Sequence, residues 1–355
     1  MAGIAAPFLS ACSSANASAE TSNSKTFQRK NWFWATPDPQ DSDKELEELY
    51  KKCYASGIHG VFFEEDSEKH FRIAKAQGLG AHRWIWTTNR CEETLLESHP
   101  EWYTINRKGE SCADKSPYVD DYRWLCPSRE ETFQYILDVV LTQLNKDYVD
   151  GIHLDYIRYC DIVLPIDLWD RYHVVQTYEM PEYDFCYCDV CKAKFKEWSG
   201  QDLDAIEYPE VSLSWRQYRY NALTTLVNRL AKEVKSTGKP LTAAVFPTPE
   251  VARRNVRQDW INWNLDGVFP MIYHGYYRES VKWIGDAVAE GVRGIDGRFP
   301  LYAGILLRQM ENNDELEEGM RNALSNGASG ISLFGEITDE VLKVLQEVAK
   351  PKNEK

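Results

Sequence analysis

The sequence predicts an α/β fold, a (β/α)8 barrel with long loops after its third and fourth strands. Three observations predict it. Apolar strand-like runs alternate with helical periods, a pattern that calls for parallel pairing. Eight such units fit within roughly 320 of the 355 residues, the arithmetic of a closed barrel. The rival doubly wound sheet usually carries a Gly-rich phosphate turn after its first strand, and here that turn reads "ATPDPQ", without glycine.

The elements follow in order. "KNWFWATP" (30–37) is a strand ended by proline, and "DKELEELYKKCYASG" (43–57) is a helix with a glycine stop. "IHGVFFEE" (58–65) is the second strand, followed by the helix "SEKHFRIAKAQG" (67–78) and the strand "LGAHRWIWTT" (79–88). A long segment precedes the helix "SREETFQYILDVVLTQLNK" (128–146), where Ser128 and Glu131 have capping-box spacing. The fourth strand lies in "VDGIHLDYIRY" (149–159), and a second long segment leads to a helix over 214–238. Four tighter units close the chain, with strands at 240–248, 265–275, 300–307 and 329–337. Their helices are expected at about 250–263, 277–290, 313–326 and 339–350. Residues 27–350 thus form one barrel domain, and 351–355 a short tail. The two long segments, 89–127 and 160–213, are βα loops on the C-terminal face, where barrels of this kind hold their chemistry.

Composition narrows the partners. A formal net charge of −14 disfavours a phosphate backbone or an anionic membrane surface. No stretch reaches the roughly 18 consecutive apolar residues of a membrane span. Twelve Trp and 20 Tyr supply flat amphipathic rings of the kind that cover the C–H face of a pyranose, so carbohydrate is the favoured partner. The first 26 residues are small and polar, without helical or strand period. Within them "LSAC" resembles the lipobox of bacterial lipoproteins, with Cys12 as the lipidated residue, although no Lys or Arg precedes the apolar stretch. That resemblance implies an extracytoplasmic protein that meets a membrane only through its lipid anchor.

Acids gather at strand ends. Side chains alternate along a strand, so Gly151, His153 and Asp155 share one face, and Asp155 stands at the rim if that face points inward. Arg158 is its candidate ion-pair partner, and a purely structural pair there is the competing explanation. Glu64 and Glu65 end the second strand. Glu336 ends the eighth on the face of Ser332 and Phe334, and Asp120 and Asp121 lie in the loop after the third. Carboxyl groups converging from separate strands are what glycoside hydrolysis needs: one protonates the leaving oxygen, and another attacks or activates water. Asp155 is therefore expected to act with Glu64 or Glu336. Trp34, His82, Trp84, Trp86, Tyr156, Tyr273 and His274 are the aromatic candidates for contact with substrate, with Arg158 and Asp121 the charged ones. A glycan-binding barrel without catalysis is the second class, and it would not require the acids. An isomerase or metal-dependent hydrolase would want His ligands at strand ends, and the chain has only seven His and no H-x-H on its first strand.

Three segments, "HPEWYTINRKGES" (99–111), "WLCPSREE" (124–131) and "YVDGIHLDYIRY" (148–159), resemble the family 10-like glycosyl hydrolases, a TIM-barrel group of bacterial lipoproteins. The resemblance implies a barrel acting on an oligo- or polysaccharide, with Asp155 and Arg158 in its site. Family 18 chitinases carry D-G-x-D-x-D-x-E on this strand. Here Asp150, Gly151 and Asp155 match, but His153 replaces the middle Asp and Ile157 the catalytic Glu, so the proton donor is expected from another strand.

Cys186, Cys188 and Cys191 in "FCYCDVCKAKF" place three thiols within reach of one tetrahedral ion. Structural zinc, disulfides and free buried thiols all remain open on spacing alone. The run is similar to the zinc segment of family 42 β-galactosidases, which implies structural zinc and a fourth ligand from the strand-3 loop. By that analogy the ligand is Cys126, with Cys112 and Cys160 in reserve.

Overall fold

The computed structural model describes residues 27–349. The stretch containing Cys12 and the tail at 351–355 lie outside the described residues. Eight parallel strands form, each within a segment expected to be one: β1 (Asn31–Ala35), β2 (Ile58–Phe63), β3 (Gly80–Trp86), β4 (Gly151–Asp155), β5 (Leu241–Val245), β6 (Gly267–Pro270), β7 (Tyr302–Leu306) and β8 (Gly330–Phe334). Hydrogen bonding runs β6-β5-β4-β3-β2-β1-β8-β7. Parallel bridges at Val268–Leu301 and Met271–Gly304 join the two ends, so the sheet closes on itself.

Helices pack around this barrel. They are α1 (Asp43–Ala55), α2 (Glu68–Ala76), the short α3 (Glu93–Ser98), α4 (Glu130–Leu144), α5 (Asp189–Ser199), α6 (Leu213–Ser236), α7 (Pro249–Val256), α8 (Trp283–Ile295), α9 (Asn313–Ser325) and α10 (Asp339–Ala349). Three local expectations change. The capping box forms at Ser42 and Glu45 of α1, whereas α4 starts after Arg129 without a side-chain cap. Ser128 is buried and has turned its hydroxyl to the Tyr218 hydroxyl on α6, 3.0 Å away. The helix expected at 277–290 begins only at Trp283. His274–Tyr277 instead make a 3₁₀ turn, ended by Arg278 in the left-handed region (φ +56°). From there Arg278 reaches Asp167 (3.2 Å) and Asp170 (3.5 Å) in the loop after β4. The segment 250–263 divides into α7 and a 3₁₀ turn at Trp260–Asn262.

Inside the barrel, large rings lie across positions where neighbouring strands supply glycine. A Cβ on Gly60 would meet the Trp32 ring at 2.2 Å, and one on Gly151 would meet the His82 ring at 2.8 Å. Above them Phe62 stacks on His153 with ring centroids 3.7 Å apart. His153 Nε2 accepts from Trp34 Nε1 (3.0 Å), so Nδ1 carries the proton and faces Thr242 Oγ1 at 2.9 Å. Burial holds this imidazole neutral, its pKa well below the usual value. The strand-3 and strand-4 loops cover the barrel top. A largely buried ion network braces them: Asp184 meets Arg219 and, from the strand-3 loop, Arg107 (3.7 Å), and Glu179 meets Arg216 and Arg257.

Candidate active site

Strand alternation delivers the site. The inward series on β4 is Gly151, His153, Asp155; on β3 it is His82, Trp84, Trp86, and β2 continues through Phe62 to Glu64. A cavity of about 370 Å³ opens on the C-terminal face, and Asp155 and Glu64 both line it. Each carboxyl group accepts an indole N–H from one of two successive inward residues of β3. Trp84 Nε1 donates to Asp155 Oδ2 at 3.0 Å, and Trp86 Nε1 donates to Glu64 Oε1 at 3.0 Å. Thr36, one residue beyond β1, donates its hydroxyl to the other Glu64 oxygen at 2.6 Å.

Asp155 is 6% exposed, and burial pushes its pKa up to about 6. The Tyr156 N–H (2.6 Å), the Arg158 charge and the Trp84 N–H oppose that rise, and Glu64 adds to it. Directly after Asp155 the chain turns sharply: Tyr156 has φ +47°. Arg158 N–H donates to Thr88 Oγ1 (3.2 Å), whose hydroxyl is 2.7 Å from the Arg158 carbonyl. A non-glycine residue held at positive φ beside a cleft is a local strain that packing must sustain.

Arg158 does line the cavity, but its ion-pair partner is Asp161 at 2.8 Å and not Asp155. Its guanidinium sits over the Trp124 ring, 4.5 Å from the centroid. The sequence holds the clue in "RYCD", an acid three residues after the arginine. Asp155 thereby has no ion-pair contact; the Arg158 charge lowers its pKa without offsetting the burial.

The remaining candidates divide. Trp34, Trp84, Trp86, Tyr156 and Tyr273 line the cavity. His82 lies one layer below, against the Trp32 ring at 5.0 Å, because the inward side chains of Trp84 and Trp86 stand between it and the opening; burial pushes its pKa down to about 4. His274 is buried behind the cleft wall, with Nε2 4.0 Å from Glu315. Asp121 is exposed in the strand-3 loop and does not line the cavity. Glu336 does not line it either: β8 ends at Phe334, and Gly335 at φ +132° breaks the alternation, leaving Glu336 exposed. Sequence reasoning missed a wall of tyrosines on irregular loops, among them Tyr118, Tyr122, Tyr172 and Tyr277. Loop residues carry no periodicity that would have pointed them at the cleft.

A second cluster lies where the two long loops meet. The sulfurs of Cys126, Cys186, Cys188 and Cys191 all lie within 4.8 Å of one another and are buried. Cys126 Sγ is 3.4 Å from Cys191 Sγ and 3.7 Å from Cys188 Sγ. A disulfide needs about 2.05 Å. Four thiolates around an ion at about 2.3 Å would stand about 3.8 Å apart, so the set fits a tetrahedral metal. The Ile105 N–H donates to Cys186 Sγ at 3.5 Å. The reserve ligands Cys112 and Cys160 stay outside: Cys112 Sγ lies 3.1 Å from Thr104 Oγ1.

The family model described as glycosyl hydrolase-like 10 matches residues 70–313. None of the curated proteins compared matches the chain. Among solved structures, a β-galactosidase from the psychrophilic Marinomonas ef1 superposes with a TM-score of 0.62 at 13% identity, over 90% of this chain and 59% of that one. A β-galactosidase from Halorubrum lacusprofundi gives 0.64 at 12% identity, over 90% and 57%. The β-amylase catalytic domain from Paenibacillus polymyxa gives 0.60 at 9% identity, over 91% and 100%. The chain therefore spans less than two thirds of either galactosidase, and at these identities the likeness is one of fold.

Proposed function

The chain belongs to the glycosyl hydrolase-like 10 family, and from that premise we propose that it is a glycoside hydrolase whose working carboxyl groups are Asp155 and Glu64. One observation carries the proposal: two acids from separate strands face one aromatic-walled cleft, each gripped by an indole of β3. Asp155 is the general acid. A carboxyl group raised to about 6 is still largely protonated in mildly acidic solution and can give its proton to the leaving oxygen. Glu64 is the partner, just beyond β2 on the far side of β3, its two oxygens oriented by Trp86 and Thr36 to act as nucleophile or base. Tyr156, Tyr273 and the Trp86 ring supply faces for a sugar. The β-galactosidase and β-amylase names of the structural neighbours support an O-glycosidic substrate. The test is a glycan screen with product analysis, comparing the wild type with Asp155→Asn and Glu64→Gln. Each variant is expected to lose roughly 10²–10⁴-fold in kcat. Unchanged turnover in Asp155→Asn would remove the proposed acid.

The four-cysteine set is proposed to hold structural zinc. All four positions are filled by sulfur, so no ligand position stays open for water. Its chemistry would be to tie Cys126 in the strand-3 loop to α5 and the segment before it. Metal analysis is expected to find about one zinc per chain, lost in Cys186→Ser together with thermal stability. The "LSAC" stretch supports the further proposal of a lipid anchor at Cys12 outside the cytoplasm. Metabolic labelling with palmitate, absent from Cys12→Ala, tests it.

A further inference from the structure

Six charged side chains line the cleft: Glu64, Asp155, Arg158, Asp161, Arg171 and Arg308. Four of them have partners. Arg158 and Asp161 pair at 2.8 Å, and Asp155 and Glu64 accept the two indoles of β3. The other two are arginines. Both are exposed, and among the described residues neither is in an ion pair. Arg308 Nη2 donates to the neutral Tyr276 hydroxyl at 2.5 Å, and Arg171 lies over the Tyr172 ring, 5.6 Å from its centroid. The acids nearest Arg171 in the chain, Asp167 and Asp170, are engaged by Arg278. Glu311, three residues after Arg308, is exposed and does not line the cleft.

The fold sets both arginines beside the working acids. Arg308 sits in the 3₁₀ turn Leu307–Gln309 that follows β7. In the same turn Gln309 Oε1 accepts the Gly275 N–H at 3.1 Å, which ties it to the turn after β6 that supplies Tyr276. The Tyr273 phenol feels both the Asp155 carboxylate and the Arg308 guanidinium, so the two charges lie close to one ring. Arg171 stands on the tyrosine wall, where Tyr172 meets Tyr118 with ring centroids 5.6 Å apart. A net charge of −14 makes most of the surface repel an anion, and here two guanidiniums have no counter-charge. A neutral sugar offers them only hydroxyls. A carboxylate or a sulfate ester offers a planar fork its charge-assisted, two-point partner.

We propose that the cleft takes an acidic glycan, with Arg308 and Arg171 meeting carboxylate or sulfate groups on its sugars. The inference rests on the glycoside hydrolase reading of this cleft and names its substrate class. Native gels test it on the intact protein. Polygalacturonate and alginate supply carboxylates, ι-carrageenan supplies sulfate esters, and soluble starch and β-1,4-galactan are neutral. At least one acidic polymer is expected to retard the protein more than either neutral one does, and which one does so tells carboxylate from sulfate. Arg308→Gln and Arg171→Gln are each expected to weaken that retardation about tenfold. Lys44→Gln, the same change of charge at an exposed position on α1, should leave it as it is. No retardation in any acidic gel overturns the proposal. So does an Arg171→Gln/Arg308→Gln double variant retarded as strongly as Lys44→Gln. Cleavage of starch or galactan, with no retardation by an acidic polymer, would sink this inference alone. An acidic polymer bound through the arginines but never cut would sink the hydrolase reading and leave the acidic ligand standing.

Discussion

At the residue scale, the chemistry rests on how Asp155 is held. Burial raises its pKa to about 6, and the Trp84 N–H moderates the rise because it stabilises the ionised form. Trp84→Phe keeps most of the ring volume and deletes that donor, so the Asp155 pKa should climb further. If Asp155 is the acid, activity falls as pH rises through its pKa. The variant's basic limb in kcat/KM should therefore move to higher pH, by about one unit. A profile that stays in place, or moves down, would show that the Trp84 contact does not tune the acid. The pairing of Arg158 with Asp161 belongs to the same scale. Had Arg158 met Asp155, the carboxyl would be held ionised and poorly suited to donate a proton.

At the scale of elements, the two long loops are the part of the molecule least like a generic barrel, and buried charge holds them. Asp184 and Arg219 are both fully buried, and Arg219 Nη1 also donates to the Phe185 carbonyl at 3.0 Å, one residue before Cys186. Arg219→Ala leaves Asp184 without its main counter-charge in a dry site. A loss of about 3–5 kcal/mol is expected in denaturant titrations, with proteolysis appearing first within 160–212. The same elements show where local sequence signals fail. Ser128 has the spacing of a capping residue, yet its hydroxyl is drawn to Tyr218 on a helix some 90 positions away. The sequence places a helix from 277, yet Arg278 adopts a left-handed conformation and bonds Asp167 and Asp170 in another loop, and the helix starts only at Trp283. In both places a partner distant in sequence outweighs a preference worth about 1 kcal/mol.

At the scale of the whole molecule, the barrel closes at a seam between β6 and β7. Val268 N–H donates to Pro300 O (3.0 Å) and Ile272 N–H to Gly304 O (2.9 Å). Gly304 permits this approach, since a Cβ there would sit 2.7 Å from the Pro270 carbonyl oxygen and 3.3 Å from the Trp34 ring. Gly304→Ala is expected to cost about 1–3 kcal/mol, read as a lower urea midpoint. The amides of Val268 and Ile272 should then lose exchange protection before those of β2 and β3. Because Trp34 also lines the cleft, activity should fall as well.

The sequence by itself determined the eight-unit alternation and, through strand periodicity, that Gly151, His153 and Asp155 share one face of their strand, because periodicity is a property of neighbours in the chain. The structure decided that this face points inward and that Glu64, Trp84 and Trp86 join Asp155 at the cleft. Only the tertiary structure decided which acid pairs with Arg158, that Glu336 turns away after Gly335, that His82 lies beneath the cleft, and that Cys126 meets three cysteines some 60 positions later. Those outcomes depend on distances set by barrel closure and on burial, and neither is written in the spacing of a single segment.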